Sequence, residues 1–565
     1  MFFDDPDAHT AKYAALINIL APISLFGITL YVYRFILSFW WLGDDPMVLK
    51  HAAEYAPWEY FFVPQAWLDF GMVNLTPWST FTMDMDLWAF GLSPAPFYAH
   101  HLIAAAMAAV CVYLALSRYF HKAAAYMGAL ILVFSPPFLD ICENLFKRHY
   151  LEGLVFVALS FIFQHKAMKK GSFSLSCLSA FFYLLSVTAK EIYVPYVLIS
   201  FLLILKSLDY KWNLQAFLRL FFPFFAISLF YVGWRRYMLK SFFGGYGACA
   251  INSFDDVARI GHTVLEKLHF NGFVITILLL IFLIAAIYVF FRIGLEHKFL
   301  WAGAVFIAIF PIVPVLCMFS VHYMLFPYVV LSFALTGVAH YLFFRNGNKA
   351  AKAMGCAALL VIAFYNANCL QNDAIPSDTM DRIEKEGVFM LEKGRDNDII
   401  AHPLMPFWHH QGLRWLRGHF LKKQEGPGIT NDLCFLEKDV RDGIIPEPTI
   451  QTYDAAAHQL MKVSMPLDCD TKDDAPLWAD VEYLGSFRYN WRLGPYDKGA
   501  YAFVLPERPI YVEWPVNREG MIKARIGNGM AHLVVRYISP EGWRTYSEPL
   551  TIDLTKGPMR IEWQR

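Results

Sequence analysis

The chain is poor in charge. Asp, Glu, Lys and Arg make up 17% of its 565 residues, against about 25% in soluble domains, which argues against an ordinary soluble enzyme. It also lacks an excess of either sign, with 48 basic and 48 acidic residues, so a general binder of nucleic acid or of anionic surfaces is disfavoured. Nine cysteines fall into no Cys-x-x-Cys and no Cys/His spacing, so neither a zinc centre nor a dense disulfide framework is expected. No internal repeat is present. What is abundant is apolar surface, 57% of residues, and charge is unevenly spread: 43 charged residues fall in 1–371 and 53 in the last 194. This division predicts a membrane body over 1–371 and a soluble domain over 372–565.

Hydrophobic runs long enough to cross ~30 Å of hydrocarbon lie near 14–41, 98–117, 123–141, 150–165, 173–188, 192–205, 214–234, 271–291, 299–318, 323–344 and 353–371. About eleven transmembrane helices follow, the 192–205 run being short. The first run is too long for a signal-peptide core and has no small-residue cleavage site, so it reads as a retained anchor. Basic residues gather in alternate short loops: Arg118 and Lys122; Lys166, Lys169 and Lys170; Lys206, Lys211 and Arg219; Arg292 and Lys298; Arg345, Lys349 and Lys352. Under the positive-inside rule these loops are cytoplasmic. An odd number of spans then places the N-terminus in the cytoplasm and the tail in the periplasm, or otherwise outside, of a cytoplasmic (inner) membrane. There Cys434 and Cys469 could pair or remain two thiols.

The outward connection 43–97 holds Asp44, Asp45, Glu54, Glu59, Asp69, Asp84 and Asp86 with one cation, Lys50, among many aromatic residues, and is expected to lie along the membrane interface as an amphipathic helix. The tail begins with a charged helical stretch, Asp378 to Lys393. It ends in strand-like alternation through Tyr511–Trp514, His532–Tyr537 and Arg560–Trp563. The expected tail is an α+β domain finishing in β-sandwich-like strands.

Five groups of ionisable residues map to the outward side: Gly43-Asp44-Asp45-Pro46, the run Glu143 to Glu152 with Lys147, Arg148 and His149, Lys190-Glu191, Arg235-Arg236, and His322-Tyr323. A carboxylate at a bilayer boundary is costly unless solvated, paired or used. Asp44 and Asp45 suit a general base facing a partly desolvated cavity; a helix cap followed by a first-turn acid is the competing account. Cations on this side run against the orientation bias. An anionic ligand is one explanation and snorkelling to lipid phosphates the other. Helical spacing would put Glu143, Lys147 and Tyr150 on one face, and Arg148 with Glu152 on another.

Taken together the five groups resemble the C-type (GT-C) superfamily of polyprenyl-phosphate-sugar-dependent integral membrane glycosyltransferases, over roughly residues 1 to 345. The resemblance implies a GT-C-like membrane domain and an inverting displacement. In it an Asp general base takes the acceptor proton while cations stabilise the departing lipid phosphate. By position Asp44 resembles the catalytic carboxylate, with Asp45 its rival. Lys147, Arg148, Lys190, Arg235, Arg236, His322 and Tyr323 would bind donor phosphate, and Glu143, His149, Glu152 and Glu191 would support the site or the acceptor. His322-Tyr323 departs from the more usual Arg-Tyr, and a histidine is only partly protonated near neutrality. The implied partners are a polyprenyl-phosphate sugar donor, a protein or glycan/lipid-linked acceptor and the lipid bilayer, with no nucleic acid. No cofactor is expected, and nothing in the sequence supports a divalent cation.

Other strings are set aside. Asp84-Met85-Asp86 matches the metal motif of nucleotide-sugar enzymes but lies in the outward loop, away from any nucleotide fold. Gly245-Tyr246-Gly247 lacks the Thr-Val that precedes it in potassium filters. His402, His409, His410 and His419 lack ligand spacing and read as surface or interface residues. The tail's Trp491, Trp514, Trp543 and Trp563 suit a sandwich core better than sugar stacking. Two rival functions stand beside the transferase: a transporter or flippase for lipid-linked sugars, which would place ionisable residues near mid-membrane, and a non-catalytic membrane subunit presenting the soluble domain.

Overall fold

A computed structural model describes residues 8–70, 74–208, 213–242, 254–268, 273–292, 303, 306, 320–345, 347–423, 426–464, 469–485, 488–507, 510–523 and 529–565. Contacts divide the chain into two compact units, Met1–Phe39 with His51–Ile375, and Trp40–Lys50 with Pro376–Arg565.

The first unit is helical. Among the described residues six helices are long and apolar enough to cross a membrane: Asn18–Ser38, Pro94–Leu116, Leu145–Lys170, Leu214–Leu239, Val321–Phe344 and Lys349–Leu370. A bent pair, Lys122–Val133 with Pro136–Glu143, makes seven if counted as one span. Its 54° bend falls just before Pro136 and Pro137, which supply no amide for the helix ladder and push the preceding residue out of helical conformation. The chain is thus a polytopic membrane protein, but the described residues do not reach eleven spans. The 192–205 run shortens to a turn, Glu191–Tyr193, and a helix of 12 residues, Tyr196–Ser207. The helix Phe173–Ala189 has 17 residues, and the 271–291 run appears as the helix Phe273–Arg292. Apart from 303 and 306, the 299–318 run lies outside the described residues, as does Gly245-Tyr246-Gly247.

Pro94–Leu116 packs against both Arg148–Lys170 and the first helix. Its buried Ala104, Ala105, Ala106, Ala108 and Ala109 let neighbouring backbones approach closely where no hydrophobic force drives helices together. The connection expected to be one interfacial helix is instead broken into Asp45–Glu54, Glu59–Phe62, Pro64–Phe70 and Pro77–Phe90. Pro57, Pro64 and Pro77 interrupt it, since a proline starts a helix readily but cannot continue one. Trp58, Phe62 and Trp88 on this stretch are exposed.

The second unit carries the helix Ser377–Val388, continued by a wider turn to Lys393, and the helices Phe407–Leu421 and Leu433–Arg441. Its strands are β1 (Asp398–Ala401), β2 (Gly428–Thr430), β3 (Thr449–Asp454), β4 (Gln459–Val463), β5 (Trp478–Gly485), β6 (Arg488–Gly494), β7 (Ala500–Glu507), β8 (Ile510–Val516), β9 (Glu519–Lys523), β10 (Met530–Ile538), β11 (Arg544–Tyr546), β12 (Leu550–Asp553) and β13 (Met559–Gln564). One mixed sheet runs β11-β10-β7-β8-β2-β1-β3-β4 with β12 beside β10, and a second runs β13-β5-β6-β9. Inward residues of both sheets, Val481, Tyr489, Trp491 and Leu493 against Phe503, Leu533, Val535 and Ile552, form one core. A sheet-rich α+β domain with a sandwich at its end is therefore present. Trp514, Trp543 and Trp563 pack partly buried against that core.

Candidate functional site

In the first unit the ionisable residues meet at one end of the spanning helices. Arg148 opens the helix Arg148–Lys170 and is wholly enclosed. It pairs with Asp86 and donates to Thr82 Oγ1 at 3.2 Å, while Glu152 Oε1 lies 3.6 Å from its Nε one turn along the same helix. His100 Nδ1 lies 2.9 Å from Asp86 Oδ1. Burial alone would raise the Asp86 carboxyl, but the His100 hydrogen bond and the Arg148 charge outweigh it and hold the group below the usual carboxylate range.

A second group lies on the neighbouring segments. Lys147 Nζ is 2.9 Å from both oxygens of Asp140, and His322 Nδ1 is 3.1 Å from Asp140 Oδ2. The His322 ring meets the Tyr150 ring edge-on at 5.2 Å, and Lys190 Nζ lies 5.0 Å from the centroid of that same ring. Tyr193 donates its hydroxyl hydrogen to the Tyr150 carbonyl at 2.5 Å. A close approach makes this possible: a Cβ on Gly153 would fall 2.4 Å from the Tyr193 ring, so a larger residue there would push the Lys190–Tyr193 turn outward. Lys147 and Lys190 are both within electrostatic range of His322. His149 holds Ser79 Oγ at 3.3 Å through Nδ1, and its enclosed Nε2 has no hydrogen-bond partner among the described residues.

A third pair, Glu191 with Arg235, joins the turn after Phe173–Ala189 to the end of Leu214–Leu239. Glu191 also accepts from the Leu75 amide at 3.1 Å, and Arg235 Nε donates to the Phe242 carbonyl at 3.1 Å. Arg236 lies apart, its guanidinium 5.6 Å from the Phe242 ring centroid on an exposed face. The Tyr323 ring lies tilted against that of His322, centroids 4.3 Å apart, and Glu143 accepts from the Ile375 amide at 2.7 Å.

Lys147, Arg148, His149, Lys190, Glu191, Arg235 and His322 are thus gathered at one end of the bundle from loops far apart in sequence. Three residues central to the network, Asp86, Asp140 and His100, were not among the sequence candidates. Asp86 belongs to the Asp84-Met85-Asp86 string of the outward loop, and Asp140 lies at the end of the apolar run 123–141. One expected face does not form. Asn144 is extended (φ −114°, ψ 103°) and separates the helix ending at Glu143 from the turn Leu145–Lys147, so Glu143 and Lys147 never share a helical face and Lys147 turns to Asp140. The pairing of Arg148 with Glu152 does form. Fixed cations in a water-poor setting can hold an anionic group strongly. Among the described residues no group of three or more His, Cys, Asp or Glu is placed to hold a metal ion.

Asp44 and Asp45 belong to the second unit. Gly43 has φ +44°, a left-handed conformation that glycine adopts freely. It turns the chain so that the Asp44 carbonyl accepts from the amides of Met47 and Val48 at 3.0 Å and starts the helix. Asp45 is 1% exposed, and its carboxylate accepts from the Leu42 amide at 2.7 Å. Asp44 is only half-buried. The helix Phe407–Leu421 closes over this turn at Gly412, where a Cβ would lie 2.6 Å from the Pro46 backbone. His409 bonds the Gly43 carbonyl and His410 the Pro427 carbonyl, both fully buried rather than at the surface. Burial pushes the His409 imidazole down to about 4 and that of His410 to about 3. His419 stacks on Trp415, and Cys434 is disulfide-bonded to Cys469.

No family model matches the chain, and no curated protein does. Among solved structures it is similar to the arabinosyltransferase EmbB from Mycobacterium smegmatis, with 12% identity and a TM-score of 0.35. That match covers 96% of this chain and 61% of the other, so the chain spans less than two thirds of the structure it matches.

Proposed function

We propose that this protein is an integral-membrane glycosyltransferase of C type that takes a sugar from a polyprenyl-phosphate donor and passes it to a protein or glycan/lipid-linked acceptor outside the cytoplasm. In this reading 1–371 is the catalytic membrane domain and 372–565 an extracytoplasmic domain that helps choose the acceptor. The observation that carries it is the gathering of Lys147 and His322 on Asp140, with His322 and Lys190 against the Tyr150 ring, at the ends of apolar spans. A water-soluble donor needs no such depth, whereas the phosphate of a lipid-linked sugar resides there. The disulfide supports an outward tail, because such bonds persist in oxidising compartments.

The reaction is a single displacement. The acceptor oxygen forms its bond to the anomeric carbon as the bond from that carbon to the phosphate oxygen breaks. The acceptor's proton passes to a carboxylate, and the lipid phosphate leaves with the electron pair. Lys147, Lys190 and His322 are assigned to the charge that develops on it, and preorganised donors of this kind are worth about 10²- to 10³-fold in rate. Arg148 is enclosed by Asp86, Thr82 and Glu152, so any phosphate role would first require release from Asp86. Asp44 is the proposed base, on the sequence pattern and on its greater exposure than Asp45. The crowding of charge at span ends favours this reading over a transporter.

The test is incubation of the purified chain with a panel of polyprenyl-phosphate sugars, together with a membrane extract that supplies protein and glycan acceptors, and mass analysis of the released lipid phosphate. Sugar-dependent release that Lys190→Gln reduces at least a hundredfold is expected. No release from any donor, with the chain folded, would overturn the reading.

A further inference from the structure

The turn that carries the proposed base is held by residues far along the chain. Gly43 and Asp44 belong to the same compact unit as the tail, and the tail grips the segment around them. His409 Nδ1 donates to the Gly43 carbonyl at 3.0 Å. Gly412 lies three residues further, on the same face of the helix Phe407–Leu421, and its missing side chain lets that helix rest on the Pro46 backbone. At Gly387 the missing side chain leaves room for the indole of Trp40.

The gripping helix is itself anchored. Arg417 donates to the carbonyls of Met390, Leu391 and Gly394 at 3.0, 3.1 and 2.7 Å, and His410 bonds the Pro427 carbonyl at 2.8 Å. Leu413 and Leu416 are wholly buried, and so is His409, whose ring therefore has little room to change rotamer.

What the His409 hydrogen bond fixes follows from peptide geometry. The Gly43 carbonyl shares one plane with the Asp44 amide and Cα, so pinning that oxygen pins the plane from which Asp44 hangs. The next plane is pinned by the Asp44 carbonyl, which accepts from the amides of Met47 and Val48 at 3.0 Å. With both planes set, the direction of the Asp44 Cα–Cβ bond is set as well, and a general base must be closely aimed to act. Gly43, at φ +44°, would otherwise be the loosest joint here, because glycine visits both signs of φ readily. A carbonyl can only accept, so Nδ1 of His409 carries the hydrogen. Its Nε2 is enclosed with no hydrogen-bond partner among the described residues. Burying such a nitrogen costs stability, so packing alone would favour an apolar residue at 409.

We propose that His409 is a positioning residue for sugar transfer, aiming Asp44 through the Gly43 carbonyl, so that the soluble unit acts on the chemical step as well as on the choice of acceptor. The assignment rests on the transferase reading, with Asp44 as the base.

The test uses the full chain in detergent and has two readouts. Hydrogen exchange in peptides covering 42–50 needs no activity. His409→Phe keeps a ring of similar size without the donor, and exchange there is expected to quicken about tenfold. His409→Asn sets an amide nitrogen where Nδ1 stands and should keep the protection. The other readout is release of lipid phosphate from the polyprenyl-phosphate sugar that the unaltered chain consumes, with a membrane extract as acceptor source. His409→Phe should lower kcat about a hundredfold while the donor KM stays within about twofold, and His409→Asn should recover most of the loss. Should His409→Phe not fold, Gly412→Ala, which lifts the same helix off Pro46, takes its place with the same expectations. Unchanged exchange over 42–50 overturns the proposal, as does full kcat in folded His409→Phe, or an Asn variant as impaired as the Phe one. Quickened exchange in a chain that, unaltered, releases no lipid phosphate is a failure of the transferase reading: the catalytic part of the assignment falls with it and the grip on the turn stands.

Discussion

Asp140 Oδ2 lies 3.1 Å from Nδ1 of His322, 182 residues further along the chain. The same carboxylate receives Lys147 at 2.9 Å, so one acid orients two of the proposed phosphate ligands. A carboxylate so placed positions the cations and need not touch the donor. Asp140→Asn is expected to lower kcat/KM by about tenfold to hundredfold, or 1.4–2.7 kcal/mol of transition-state stabilisation, with most of the loss in kcat. Asp140→Glu should restore part of it. Unchanged turnover in Asp140→Asn would show that Lys147 and His322 need no common anchor.

Arg148 should behave differently from Lys147. Its guanidinium is 0% exposed and faces Asp86 and Glu152. Removing one partner of a buried ion pair leaves the others uncompensated, at a cost of about 3–5 kcal/mol. Arg148→Gln is therefore expected to lower the thermal midpoint of the membrane unit sharply. Arg148→Lys should rescue little, because a single ammonium cannot reproduce the fork that reaches Asp86 and Thr82 together. A folded, merely inactive Arg148→Gln would instead mark the residue as a ligand contact.

The aspartate pair separates by the same logic. Asp45 is buried on the Leu42 amide, and Asp45→Asn should cost about 1–2 kcal/mol through a weakened hydrogen bond. Asp44→Asn should abolish sugar transfer in a chain that still folds. Normal release of lipid phosphate by Asp44→Asn would remove it as the base.

Much of this was legible in the amino-acid order, for definite reasons. Apolar length marks a span whatever it packs against, and period-two alternation marks Tyr511–Trp514 and His532–Tyr537 as strands before any partner is known. The cations of the network stood out because charge at a bilayer boundary demands a reason. Their partners did not. Asp86 and Asp140 acquire meaning only from Arg148 and His322, which lie 62 and 182 residues away, and no local pattern encodes such pairings. The break at Asn144 was hidden for a related reason: helical spacing assumed through Glu143–Glu152 supplies neighbours that an extended residue takes away. The burial of His409 and His410 was equally invisible, since a histidine bonded to a carbonyl and one at the surface are spelled alike.

Those two histidines give the sharpest pH prediction. Burial holds His409 at about 4 and His410 at about 3, below the value near 6.5 that an unfolded chain would show. Both are therefore neutral in the folded unit and take up protons on unfolding once the pH drops below about 6.5. Stability they contribute is complete above that pH and falls as pH descends toward 4, because the unfolded state then binds more protons. For His409 the loss by pH 4 is on the order of 3 kcal/mol. Protection factors over 407–421, taken relative to the slower intrinsic exchange at acid pH, should fall between pH 6.5 and 5, and His409→Gln should flatten that dependence, since an amide can still meet the Gly43 carbonyl but does not titrate. Protection that stays constant across this window would mean that acid does not act through these imidazoles.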